Sequence, residues 1–234
     1  MNDWVQKRFW ESAQIVAEGD HFAVELDGRP IRTPSKRQLV LPTEFMAGKI
    51  AAEWDKQVEI VDPTTMLWTR SANSALDKVP EQRDEVEGHL KAYAETDLLS
   101  YRANGPAELV LRQEAGWDPV INWIEAEFDI QIALVRGVMP VKQDLEHISC
   151  LARFMVPMSD FELTGFHDLV TLSGSYLLAV AVAKNEVDSE AAWALSRIDE
   201  DWQIEHWGVD EDAAKQATLK KVAFFHASDF FKSA

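Results

Sequence analysis

The chain has 234 residues, enough to bury a substantial core as one domain or two small ones. With 23 basic against 40 acidic residues its formal net charge is −17, which sets it against nucleic acid and anionic membranes as partners and favours a basic or apolar one. Cys150 is the single cysteine, which excludes an internal disulfide and a thiolate zinc cage and points to a reducing compartment.

The acidity is uneven. Residues 1–42 carry six acids and six bases, so the whole excess lies beyond Pro42. The opening stretch MNDWVQKRFWESAQ has neither the apolar core of a secretory signal nor the acid-free, Arg-rich character of a transit peptide. Phe22, Val24 and Leu26 then alternate with Ala23 and Glu25 and run into Asp27-Gly28, a strong hairpin signal. A two-residue turn there pairs Leu26 with Arg29, Val24 with Ile31 and Phe22 with Thr33. Pro30 and Pro34 cannot donate to a ladder, which assigns the returning strand to a sheet edge. Residues 15–17 and 38–41 are weaker strand candidates. Arg29 either caps the sheet by pairing with an acid of the helical part, the favoured reading, or touches another molecule.

From Pro42 the period changes. Met46, Ile50 and Trp54, spaced by four, predict a helix over 43–57, and Asp62-Pro63 a break. Further helical patterns occupy 66–79, 81–95, 107–128, 144–156, 160–184, 188–207 and 210–230, with strand-like pieces at 98–102 and 131–136. Ser159 with Glu162 forms a capping box, and Asp188 and Asp210 are N-cap candidates. Cys150 falls in a helix where burial is the expectation. The apolar run 169–183 is interrupted by Thr171, Ser173 and Ser175 and falls short of the roughly 20 residues a spanning helix needs, so it reads as a buried helix with no membrane insertion. The fold class is α+β: a small β-rich N-terminal domain with one helix over 1–62, then a helical domain over 63–234.

The familiar chemical motifs GxGxxG, GxxxxGK[ST], GxSxG and HExxH are absent, so an enzyme is not the expectation. The most informative segment is SRIDEDWQIEHWG (196–208), inside a stretch from Glu186 to Asp212 with ten acids and one base, Arg197. On a continuous helix, Ala191, Leu195, Ile198 and Trp202 make one apolar stripe, and Trp193, Ile204 and Trp207 a second on nearly the opposite side. Such a helix is either sandwiched in the core, the favoured reading, or offers one face outward as a protein-binding surface rimmed by carboxylates. Glu205 lies at the margin of the first stripe and needs a cationic or hydrogen-bonding partner, in the chain or in a client. Two other readings remain: a hydrolase or lyase using a carboxylate pair from 199–205, and a general protein-binding adaptor.

Six stretches occur in one order: LDGRPIRTP (26–34), AAEWDKQ (51–57), TRSANSALD (69–77), ETDLLSYR (95–102), WDPVINW (117–123) and LSRIDEDWQIEHWG (195–208). Together they resemble the assembly chaperone family for the α subunit of the F-type ATP synthase. The resemblance implies a β-rich N-terminal domain before a helical one. It also implies a non-enzymatic chaperone that binds the unassembled α subunit and prevents its aggregation until the β subunit replaces it, with no nucleotide, metal or other cofactor. An acid in the last stretch carries function in that family. Glu205 is the first candidate; Asp199, Glu200, Asp201, Trp202 and Trp207 complete the expected client-binding set, forming or bracing the surface. A monomer in the bacterial cytoplasm is expected, and the mitochondrial matrix for organellar relatives.

Overall fold

A computed structural model of the chain describes residues 7–137, 139 and 142–234; the first six residues of the stretch scanned for a targeting signal lie outside it. The described residues form six strands and ten α-helices, in two compact units. The first unit runs through Arg83 and includes 159–165 and 229–234; the second is 84–158 with 166–228. Residues 63–83, grouped by the sequence reading with the helical domain, here group with the strands.

In the first unit β1 (Ala13–Glu18), β2 (His21–Leu26), β3 (Arg29–Pro30) and β4 (Val40–Leu41) make one antiparallel sheet. Asp27 and Gly28 both have positive φ, +48° and +76°, the conformation a tight two-residue hairpin needs. The Asp27 carboxylate also accepts the backbone N–H groups of Glu11 and Ser12, which holds it below the usual carboxylate range and fixes the entry to β1. Leu26 pairs with Arg29, and the Ile31 N–H reaches the Val24 carbonyl. The expected pairing of Phe22 with Thr33 does not occur: Phe22 pairs with Leu41 of β4. The chain leaves the ladder after Ile31 because the Thr33 hydroxyl donates to Asp77 at 2.7 Å, and β4 fills the vacated edge. Arg29 is exposed, and its side chain has no acid partner among the described residues, contrary to expectation.

The inner sheet face, with Val24, Leu26, Ile31, Leu39 and Leu41, is covered by α1 (Glu44–Asp55) through Met46, Ala47, Ile50, Ala51 and Trp54. Thr43 caps α1 by accepting the Met46 N–H. Glu53 in turn accepts the Trp68 and Thr69 N–H groups, capping α2 (Leu67–Asp77).

The second unit is built on α4 (Ala107–Phe128), α5 (Leu145–Ala152), α7 (Tyr176–Ala183), α8 (Ser189–Ser196) and α9 (Ile198–Trp207). It also takes most of α3 (Val79–Glu95), α6 (Asp160–Ser173) and α10 (Glu211–Lys232). The strand-like pieces shrink to a parallel pair, β5 (Tyr101–Arg102) and β6 (Val135–Arg136). The capping box Ser159–Glu162 and the N-caps Asp188 and Asp210 all form. Cys150 is only half-buried.

Two predicted helices are each broken in two. The segment 160–184 stops at Gly174, φ +72°, and restarts as α7 with Ser175 as its cap. The cause is Asp97, a fully buried carboxylate that accepts the Ser175 hydroxyl at 2.8 Å and the N–H groups of Leu177 and Leu99 at 3.0 and 2.9 Å. The segment 188–207 breaks at Arg197, where φ is −110° and ψ 6°. There the Trp117 indole N–H of α4 donates to the Leu195 carbonyl at 2.8 Å. The neighbouring Gly116 lets the two segments touch: a Cβ there would lie 2.8 Å from Ile198 Cδ1 and 2.9 Å from Leu195 Cδ2. No helix among the described residues is long and apolar enough to cross a membrane.

Burial pushes the Asp97 carboxyl up to about 6, against 3.8 for a free side chain. The folded state therefore takes up this proton before the unfolded one, and its contribution to stability increases as pH falls through 6 towards 4. Asp97→Asn presents an amide donor to donors and should cost about 1–3 kcal/mol in urea unfolding. The gap from the unmodified chain should widen by about 1 kcal/mol between pH 7 and pH 5, and a gap that narrows would refute this. Trp117→Phe strands the Leu195 carbonyl and leaves a void, so a loss of about 2–3 kcal/mol is expected; a loss below measurement error would show that the joint does not depend on the indole.

Candidate functional site

Because the helix is broken at Arg197, the wheel drawn over 188–207 does not describe α8 and α9 together, and the second apolar stripe divides. Trp193 on α8 is buried against Phe224, ring centroids 5.7 Å apart. Ile204 is half-buried and Trp207, at the end of α9, is 78% exposed. Of the first stripe, Ile198 and Trp202 are buried.

Trp202 packs against two side chains. The Arg112 guanidinium of α4 lies 5.3 Å from its ring centroid, and the His206 imidazole stacks on it at 4.0 Å. The same Arg112 donates two parallel bonds to Glu205, Nη1 to Oε1 and Nη2 to Oε2, both 2.8 Å. This fork holds the Glu205 carboxyl below its ordinary value. The ionised pair is lost only as pH drops through that lowered value, so it persists across the neutral and mildly acid range. Asp199 accepts a bond from Gln113 Nε2 at 2.6 Å. Glu200 and Asp201 are exposed and reach Arg197 at 3.5 and 3.9 Å, loose contacts for ion pairs.

The six expected client-binding residues thus have distinct places. Glu205, Glu200, Asp201 and Trp207 are at the surface. Trp202 is beneath it, and Asp199 is half-buried against α4. Sequence reasoning missed Arg112 and Gln113, the residues that fasten the acidic segment to α4. Arg112 stands on the flank of an ordinary amphipathic helix, far away in the chain, and no spacing marks it. The described residues contain no cluster of side chains able to hold a metal ion.

The family model for the ATP12 chaperone protein matches residues 7–125. Solved structures of Atp12 from Paracoccus denitrificans, unmodified and as a mutant, match with a TM-score of 0.92 at 46% identity, covering 97% of both chains. The Atu1473 protein of Agrobacterium tumefaciens matches with a TM-score of 0.91 at 35% identity, over 98% of this chain and 86% of that one. Among curated proteins, the mitochondrial atp12 protein of Schizosaccharomyces pombe is 24% identical over 220 residues, 88% of this chain and 75% of the relative. The likeness runs through both units, strands and helices together, and the chain belongs to the ATP12 chaperone family.

Proposed function

We propose that this chain is an assembly chaperone of the F-type ATP synthase. It binds the unassembled α subunit as a monomer and keeps it from aggregating until the β subunit takes its place. Membership of the ATP12 chaperone family supports the general reading. The observation that carries the assignment of the surface is the outer end of α9. There Trp207 stands 78% exposed on a segment fastened from behind by Arg112, with the exposed carboxylates of Glu200 and Asp201 in the first turn of the same helix. A large exposed aromatic provides contact area at small entropic cost, and salt-screened acids around it speed capture without making it irreversible. An orphan subunit exposes the interface meant for its neighbour, and covering that interface is what suppresses its aggregation. The bacterial relatives at 46% and 35% identity favour the bacterial cytoplasm as the compartment.

The carboxylate-pair reading is less well supported. A general acid needs a raised carboxyl pKa, whereas Arg112 lowers that of Glu205. The proposal is accordingly non-catalytic.

The test is refolding of isolated α subunit followed by light scattering. The unmodified chain should suppress the scattering, and an equal rise with and without it would end the proposal. Glu205→Lys should lose most of the protection with little change in the circular dichroism melt, since the pair it breaks is solvent-exposed. Exchanging the two residues, Glu205→Arg with Arg112→Glu, rebuilds the fork with its signs exchanged. Restored protection would mean that the pair acts by holding α9; continued loss would place the Glu205 carboxylate in the contact itself.

A further inference from the structure

Past α9 the chain turns at Gly208, φ +89°, and returns as α10. The first half of α10 presents small side chains, Ala213, Ala214 and Ala217, towards Ile204 and Trp207 of α9. Alanines cannot fill the space between two helix backbones that a pair of leucines would close. A groove of about 400 Å³ remains, with an apolar floor and the carboxylates of Glu200 and Asp210 on its rim. That volume lies in the range of about 300–1,000 Å³ typical of sites that enclose a ligand group. Trp207 forms one wall and makes no ring contact with any described residue.

We propose that this groove seats a large apolar side chain projecting from a basic, amphipathic polypeptide segment. The inference rests on the chaperone reading for its biological setting, and it names the kind of client segment recognised. Charge selects the occupant. From Ser196 to Asp212 there are seven acids and one base, Arg197. Asp199 and Glu205 are turned to Gln113 and Arg112. Arg197 is shared between Glu200 and Asp201 and lies 5.9 Å from the Trp193 ring. The lining itself carries two acids, Glu200 and Asp210, and two bases, Arg197 and Lys220; the exposed neighbours Asp201, Glu211 and Asp212, the last meeting Lys215, add the anionic collar around it. A second copy of this chain carries the same net charge of −17 and would be repelled, as would nucleic acid or an anionic lipid surface. A cationic segment meets the opposite condition: long-range attraction to the collar, then burial of one apolar anchor.

The experiment is fluorescence anisotropy with a fluorescein-labelled amphipathic peptide of leucine and lysine, and a leucine–glutamate peptide of the same pattern. Trp207→Ala removes a wall while leaving every charge in place, and Ala214→Trp fills the groove. The melt of each variant should match that of the unmodified chain. The unmodified chain should bind the lysine peptide and not the glutamate peptide, and each variant should weaken binding about tenfold or more. Equal binding of the two peptides, or variants that bind like the unmodified chain, would overturn the groove as the site. The α-subunit scattering assay separates this from the broader proposal. A chain that binds the lysine peptide yet fails to protect α keeps the groove and loses the chaperone role. Variants that bind the peptide normally and still protect α lose the groove and keep the role.

Discussion

The placement of the acidic segment depends on one hydrogen bond and one missing side chain. At the junction of α8 and α9 the helical ladder stops, which leaves carbonyls that a buried position cannot tolerate unpaired. The Trp117 indole satisfies the Leu195 carbonyl, and Gly116, one residue earlier, has no Cβ to hold Leu195 and Ile198 away. With the junction pinned to α4, the next turns of α4 and α9 come into register, and Arg112 meets Glu205 while Gln113 meets Asp199. The surface chemistry of α9 is thus a consequence of packing at its buried end.

The same reasoning applies to the family motifs, which mostly join one another. LDGRPIRTP meets TRSANSALD through Thr33 and Asp77, and AAEWDKQ meets TRSANSALD through Glu53 and Thr69. ETDLLSYR meets WDPVINW where Arg102 pairs with Asp118 at 2.8 Å and lies over the Trp117 ring. WDPVINW meets the last stretch at the Leu195 carbonyl. Trp54, Trp117 and Trp202 are buried in these joints, whereas Trp207 is left at the surface. Most of what makes the family identifiable is therefore architecture, and the residues free to act on another molecule are those the architecture leaves unused.

Helix existence was legible in the chain because burying a face requires periodicity. Met46, Ile50 and Trp54 marked α1, and α4 runs over the residues its pattern indicated. The hairpin was legible because Asp27-Gly28 has a conformational preference of its own. The breaks at Gly174 and Arg197 were not, because their causes, Asp97 and Trp117, act through bonds to Ser175 and Leu195 that each span 78 residues. Phe22 found Leu41 rather than Thr33 for the same kind of reason, a distant carboxylate at Asp77 competing for the threonine. The acids of α9 could be named from the sequence as candidates. Which of them are tied inward and which face out was decided by Arg112 and Gln113, whose nearness only the folded chain creates.

Helix α7 has a further consequence. From Tyr176 to Val182 every residue is fully buried, so the helix has no side that water can accept. On its own this segment has no stable solvated form, and its order arrives only with the walls supplied by α4 and α8, both of which contact it. Release of any one wall would bare a seven-residue apolar strip, so the walls and the strip they enclose come apart as a single cooperative event. A molecule proposed to shelter another chain's adhesive surface carries one of its own, and in the folded state keeps it wholly covered.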